Sequence, residues 1–136
     1  MKVKGIMQNV IKISSNSTIS EAARVLDKKD IGSVLVEEGS KIIGVVTQKD
    51  ILQKVIVKGK HPNSMKTKDI VSKTIVKIDS NEDLLEASRL LNKHRIGKLM
   101  VTKEGKIIGE VTEDNVNRNI KYKLLKGSPD YTRQWH

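Results

Sequence analysis

The sequence has no cysteine and no phenylalanine, and aromatic residues make up only 2% of its 136 positions. Without cysteine the chain can form neither disulfides nor thiolate metal sites, so its core has to be built from Ile, Val, Leu, Met and Ala. No segment approaches the ~18 consecutive apolar residues that a membrane-spanning helix needs, and the first residues lack the apolar stretch of a signal peptide. We therefore expect a cytoplasmic protein that does not insert into a membrane.

The motifs of common catalytic sites are also missing. There is no Gly-x-x-x-x-Gly-Lys-Ser/Thr loop for nucleoside triphosphates and no Gly-x-Ser-x-Gly elbow around a nucleophilic serine. His61, His94 and His136 are far apart in sequence and lack the spacing of metal ligands. These absences predict a protein that is not an enzyme, binds no metal and requires no cofactor.

Positive charge is in excess, with 26 Lys and Arg residues against 16 Asp and Glu residues and a net charge of +10. A strongly basic chain favours polyanionic partners such as nucleotides, nucleic acids or an acidic protein. The lysines are scattered along the whole chain, however, so an ordinary solvated surface explains the charge equally well.

The chain contains two copies of one unit. A shift of 65 residues aligns Val10–Asp50 with Ile75–Asn115 without a gap, and 18 of the 41 pairs are identical. The identical pairs include Lys41-Ile42-Ile43-Gly44 with Lys106-Ile107-Ile108-Gly109. The register of the N-terminal edge is open, because a shift of 64 residues pairs Ile6-Met7 with Ile70-Val71 better than 65 does.

Each copy carries the same local signals. A β-branched segment, Val10–Ile13 or Ile75–Ile78, is followed by Thr18-x-x-Glu21 or Asp83-x-x-Glu86, which is typical of a capped helix start. Two more strands joined by a Gly-containing turn come next and predict a hairpin. A second helix is expected after Thr47, with Ile51, Leu52 and Val55 on one face.

These signals predict a mixed α/β (α+β) fold of two β-α-β-β-α repeats packed with pseudo-two-fold symmetry. We place the first repeat at residues 1–58, a linker at 59–66, the second repeat at 67–118 and a tail at 119–136. Asn119–Lys126 is expected to extend the last helix, and Gly127-Ser128-Pro129 to break it.

In order and spacing, the duplicated motifs resemble the CBS domain, named after cystathionine β-synthase, of which a tandem pair is called a Bateman module. The resemblance covers roughly residues 3–118. The motifs that carry it in the first copy are Ile6-Met7 before the first strand, Thr18-Ile19-x-Glu21-Ala22-Ala23, Ile31-Gly32-Ser33-Val34 and Gly44-Val45-Val46-Thr47-Gln48-Lys49-Asp50-Ile51. Those of the second copy are Leu84-x-Glu86-Ala87, Arg95-Ile96-Gly97-Lys98-Leu99-Met100-Val101 and Gly109-Glu110-Val111-Thr112-Glu113-Asp114-Asn115.

This resemblance implies a non-catalytic sensor that binds an adenine nucleotide (AMP, ADP or ATP) or S-adenosylmethionine in clefts between the two repeats. Such a module regulates a partner, and this chain is expected to act on an unknown protein in trans and to form a homodimer. Thr47 and Asp50 allow two interpretations. Spacing alone favours a helix cap with Thr47 at the N-cap and Asp50 in the first turn, whereas the resemblance implies that they bind ribose hydroxyls.

The resemblance also implies two sites. Site A has Thr47 and Asp50 for ribose, Val45, Ile75 and Val76 around adenine, and Lys98 near phosphate, with Asp30 and Asp114 facing it. Site B has Thr112 and Asn115 for ribose, Val10 and Ile11 around adenine, and Ser33 in place of the lysine, with Arg95 and Lys49 facing it. Asn115 lacks the charge of Asp50, so site A has the better residues for binding ribose hydroxyls. Site B has the more cationic surroundings because Arg95 and Lys49 face it.

An alternative function is association with RNA, suggested by the net charge and the basic segment Arg118–Lys126. Proteins that bind single-stranded RNA usually add aromatic side chains that stack on bases. Here Tyr122, Tyr131 and Trp135 are available, and all three lie in the tail.

Overall fold

A computed structural model describes residues 1–126 of the chain, and the predicted break at Gly127-Ser128-Pro129 lies outside them. The chain divides into two compact units. The first unit is Val10–Ile75; the second combines Met1–Asn9 with the chain from Val76 onward. The repeat boundaries expected from the sequence stay predictions, but as a packing unit the N-terminal segment belongs with the second copy.

The first unit has the predicted β-α-β-β-α order. Strand β1 is Lys12–Ser14, helix α1 is Ile19–Lys29, strands β2 and β3 are Ser33–Glu38 and Lys41–Thr47, and helix α2 is Gln48–Ile51, continued by a π-helical turn at Leu52–Ile56. β1 runs parallel to β2, and β2 runs antiparallel to β3. The mixed α+β class is therefore confirmed for this copy.

The second unit repeats this order. Strand β4 is Lys77–Asp79, helix α3 is Leu84–His94, strands β5 and β6 are Lys98–Lys103 and Lys106–Thr112, and helix α4 is Glu113–Lys126. Its three strands pair in the same sense as those of the first unit. The prediction that Asn119–Lys126 extends the last helix is confirmed.

The local sequence explains where α1 and α3 begin and end. Thr18 Oγ1 accepts from the Glu21 backbone N–H, and the Glu21 side chain accepts from the Thr18 N–H, which completes the predicted capping box. Asp83 caps α3 by accepting from the Leu85 N–H at 2.8 Å. Both helices end on a residue with a left-handed backbone, Asp30 or Arg95, each at φ 52°.

Each unit has its own aliphatic core. In the first unit the helix residues Ile19 and Leu26 pack with Val34, Val36 and Val46 of the strands. The corresponding side chains of the second unit are Leu84, Leu91, Leu99, Val101 and Val111. Burying such a side chain contributes about 1.5–3 kcal/mol, so a core without phenylalanine still holds each unit together.

One face prediction is wrong. Ile51 and Val55 pack into the first core as expected, but Leu52 is 55% exposed. Residues four apart stack on one helix face, whereas Leu52 follows Ile51 directly and therefore points about 100° away. Leu52, Ile56 and the C-cap residue Val57 are all exposed at this end of the first unit, and we call these three apolar residues the α2 patch.

A short leading segment completes each unit. Thr67 and Lys68 donate backbone hydrogen bonds to Ser17 and Ser15 in the first unit, as Val3 and Lys4 do to Glu82 and Ser80 in the second. The donor residues of the two units are separated by 64 positions in the sequence, whereas the acceptor residues are separated by 65. The one-residue slip at the N-terminal edge is thereby confirmed.

Candidate functional site

The residues proposed to bind ribose in the first unit, Thr47 and Asp50, lie where β3 ends and α2 begins, and we call this pair the first clamp. Thr47 Oγ1 accepts from the Asp50 N–H, and Asp50 Oδ2 accepts from the Thr47 N–H, each at 3.0 Å. The helix-cap interpretation of this pair is therefore confirmed. The Thr47–Asp50 capping box fixes both polar side chains at the exit of a strand, as a ligand contact would also require.

The Asp50 carboxylate is held from a second side. Lys54 Nζ lies 3.1 Å from Asp50 Oδ1, and the Asp50 side chain is only 16% exposed. The same ammonium donates to the Ile70 carbonyl oxygen at 3.0 Å. Each carboxylate oxygen thus has one protein partner and can accept a further hydrogen bond, because an ionised carboxylate has about four acceptor positions.

The second unit has a different clamp at the equivalent place. Thr112 Oγ1 accepts from the Asn115 N–H at 3.1 Å. The Asn115 side chain donates through Nδ2 to the Ile6 carbonyl oxygen at 2.7 Å and accepts through Oδ1 from Asn119 at 2.9 Å. Comparing the sequences of the two copies shows that asparagine replaces Asp50 in the second copy. It does not predict that the Asn115 amide donates a hydrogen bond to the N-terminal segment.

The glycine in each clamp strand allows the leading segment to approach closely. A Cβ on Gly44 would lie 2.2 Å from the Ser72 carbonyl oxygen. The neighbouring Val45 exchanges two backbone hydrogen bonds of 2.9 Å with Ser72. In the second unit Gly109 meets Gln8 and Met7, and Glu110 exchanges the same pair of bonds with Gln8. Glycine is therefore required for the close pairing beside Thr47 and Asp50, whereas a Cβ on Gly109 would need its neighbours to shift by only a few tenths of an ångström.

Lys98, expected near phosphate in site A, is buried in the second unit. Its ammonium lies 2.8 Å from Glu110 Oε2, with side-chain exposures of 7% and 0%. The equivalents in the first copy are the uncharged Ser33 and Val45. The sequence analysis did not predict a role for Glu110. The available signal was a glutamate at the position that Val45 occupies in the first copy, within an otherwise apolar strand, which suggests a buried charge with a partner.

The remaining predicted residues fall into two groups. The apolar ones are half-buried: Val10, Ile11, Val45, Ile75 and Val76. The charged ones are exposed: Asp30, Lys49, Arg95 and Asp114. Asp114 lies 3.5 Å from Arg118 in a solvent-exposed pair of the last helix. Within single units the structure brings together Thr47 with Asp50 and Thr112 with Asn115; assigning the other residues to sites A and B stays a prediction.

Neither a metal-binding cluster nor a membrane-spanning helix occurs in the described part of the chain. Among residues 1–126, no group of three or more His, Asp or Glu side chains is arranged to hold a metal ion. No helix in this range is long and apolar enough to cross a membrane. Of the aromatic residues considered for RNA stacking, Tyr131 and Trp135 lie outside the described residues.

Comparison with known proteins gives one family. The model of the CBS domain matches twice, at residues 3–57 and 68–122. An uncharacterized protein of Methanocaldococcus jannaschii is 32% identical over 114 residues, covering 82% of this chain and 61% of that protein. This chain therefore spans about three-fifths of that relative's length.

Solved structures have the same fold. A CBS domain structure superposes with a TM-score of 0.81 at 21% identity, covering 89% of this chain and 98% of that one. A CBS domain pair in complex with 5′-methylthioadenosine and S-adenosyl-L-methionine superposes with a TM-score of 0.77 at 25% identity, covering 90% of this chain and 98% of that one.

Proposed function

Because this chain belongs to the CBS domain family, we propose that it is a non-catalytic regulatory module whose ligand contains adenosine. The observation that carries the proposal is the Asp50 carboxylate, which is largely buried, fixed by Thr47 and Lys54, and still able to accept two hydrogen bonds. The similar CBS domain pair binds 5′-methylthioadenosine and S-adenosyl-L-methionine, and both of these compounds contain adenosine.

The proposed contact is chemically specific. Two vicinal ribose hydroxyls can each donate a hydrogen bond to one oxygen of Asp50, and bonds to a charged acceptor are roughly twice as strong as neutral ones. The candidates are AMP, ADP, ATP, S-adenosylmethionine and 5′-methylthioadenosine. Ligand binding stabilises the bound conformation, and the changed surface acts on a protein partner in trans.

A thermal-shift screen tests the proposal. We expect at least one of these adenosine compounds to raise the melting temperature, because a ligand that binds only the folded state stabilises it. Asp50→Ala should abolish the rise. Glu21→Ala is the matched control, because it removes the same type of cap residue from α1 of the same unit and should keep the rise. No rise with any adenosine compound, or an undiminished rise in Asp50→Ala, would contradict the proposal.

We also propose that the chain forms a homodimer through the α2 patch. Leu52, Ile56 and Val57 are 55%, 53% and 73% exposed and lie at one end of the first unit's second helix. A second copy that covers this patch removes adjacent apolar side chains from water. Light scattering should give a dimer for the wild-type chain and a monomer for Leu52→Glu/Ile56→Glu, with Leu124→Glu as a control on another exposed leucine. A monomeric wild-type chain would contradict this assembly.

A second candidate function is binding to RNA, supported by the exposed basic residues of α4, among them Arg118 and Lys121. Phosphate contacts make the logarithm of affinity fall linearly with the logarithm of salt concentration. A steep fall for a single-stranded RNA, weakened by Arg118→Gln/Lys121→Gln, would favour this function. An affinity that does not change with salt would exclude its electrostatic form.

A further inference from the structure

In the two copies, equivalent backbone carbonyl groups accept hydrogen bonds from different side chains. Ile6 and Ile70 each end a short 3₁₀ turn in a leading segment, Val3–Gly5 or Thr67–Asp69. In the first unit Lys54 Nζ donates to the Ile70 oxygen at 3.0 Å. In the second unit Asn115 Nδ2 donates to the Ile6 oxygen at 2.7 Å. The side chain that stands in the clamp thus also fastens the leading segment, but only in the second copy.

This exchange changes what each clamp can offer a ligand. Asp50 gives one acceptor position to Thr47 and one to Lys54, so one position remains on each oxygen. The amide of Asn115 has a single oxygen, and Asn119 already donates to it. One acceptor position remains there, whereas two donating hydroxyls need two.

We propose that each chain takes one adenosine ligand, at Asp50, and that Asn115 with Asn119 fastens the N-terminal segment instead of binding ribose. The inference rests on the proposed function and assigns its ligand to one of the two clamps. Lys54 is a positioning residue for this clamp, and Asn119 is its counterpart in the second copy.

A ligand-free double-mutant cycle tests the fastening role. Asn115→Asp should lower the melting temperature by about 5 °C, because it removes the donor to the Ile6 oxygen and places a carboxylate beside it. Adding Asn119→Lys recreates the arrangement of Asp50 and Lys54 and should recover more than half of the loss. A double variant no more stable than Asn115→Asp alone would overturn the proposal.

The first unit offers the reciprocal cycle as a control. Lys54→Asn leaves the Ile70 oxygen without its ammonium donor and should lower the melting temperature. Asp50→Asn in the same chain supplies an amide at the position where Asn115 acts, and should restore part of the stability. This cycle also decides the question if Asn115→Asp does not fold, and an absence of restoration would count against the proposal.

The ligand assignment is tested by calorimetric titration with 5′-methylthioadenosine. We expect one ligand per chain, and Asp50→Asn should weaken binding about tenfold or more, while Asn115→Ser leaves the affinity within about twofold. Two equivalent ligands per chain, or binding lost in Asn115→Ser and kept in Asp50→Asn, would overturn the assignment. If no adenosine compound binds any variant, the proposed function fails, and the two stability cycles still decide the fastening role.

Discussion

At the scale of single residues, Asp50 combines a helix cap with the proposed ribose contact. The cap uses one acceptor position of one oxygen, and the remaining positions are enough for two hydroxyls. The two interpretations that the sequence left open are therefore compatible. A comparison of Asp50 with Glu21, a cap residue outside the proposed ligand contact, separates the loss of a helix cap from the loss of ligand binding.

Gly44→Ala should destabilise the first unit by about 3 kcal/mol, because the added Cβ would lie 2.2 Å from a backbone oxygen of Ser72. Gly109→Ala should cost less, since its nearest neighbours are at 3.0 Å and one of them is the flexible Met7 side chain. Gly32→Ala is the control, because nothing lies within 4 Å of its Cβ position. Urea unfolding measures all three; equal costs for Gly44 and Gly32 would show that the close approach is unimportant.

The exposed pair of Glu86 and Arg89 gives a pH prediction. A hydrogen bond from Arg89 lowers the pKa of Glu86 below its ordinary value of 4.5. A lowered folded-state pKa stabilises the protein above the unfolded pKa, and this contribution is lost as the pH falls through the folded value. NMR titration of the Glu86 carboxyl should show its pKa rising toward 4.5 in Arg89→Gln. An unchanged pKa would contradict the pairing.

At the scale of elements, repetition made much of the chain predictable. The Thr18-x-x-Glu21 box, the Gly-containing hairpins and the aliphatic helix positions each have a counterpart in the other copy, so one copy checks the other. The face of α2 was less predictable, because Leu52 is as apolar as the buried Val55. Its exposure depends on how the helix is oriented against the first core, and tertiary packing determines that orientation.

The packing of the leading segments could not be predicted from local patterns. Val3 is completely buried and belongs to the core of the second unit, although it precedes the first copy in sequence. Periodicity describes neighbours along the chain and does not determine which distant strands a short segment joins. The carbonyl contacts of Lys54 and Asn115 depend on this packing, so they also could not be predicted.

Val3→Ala should therefore destabilise the second unit by about 2 kcal/mol through the lost burial and the resulting cavity. Lys2→Ala is the control, because Lys2 is exposed. Hydrogen exchange should become faster in α3 and β5 of the variant and change little in α1 and β2. Equal acceleration in both units would contradict the assignment of Val3 to the second core.

At the scale of the whole molecule, the two copies share a fold but differ in their charged groups. The first copy has Asp50 with Lys54 in its clamp, and the second has a buried ion pair of Lys98 and Glu110 in its sheet. Breaking a buried pair by removing one partner is strongly destabilising, because a charge is left uncompensated. The two copies therefore differ mainly in a few charged positions within a largely shared aliphatic framework.

The central claim is that Asp50 binds an adenosine ligand, and an NMR titration of the ¹⁵N-labelled chain with 5′-methylthioadenosine tests it most directly. The Thr47 amide donates to the Asp50 carboxylate, so its resonance should shift with the titration, and the shift should vanish in Asp50→Ala. The amides of Thr112 and Asn115 should move much less. Shifts confined to the second clamp, or no shift at saturating ligand, would contradict the claim.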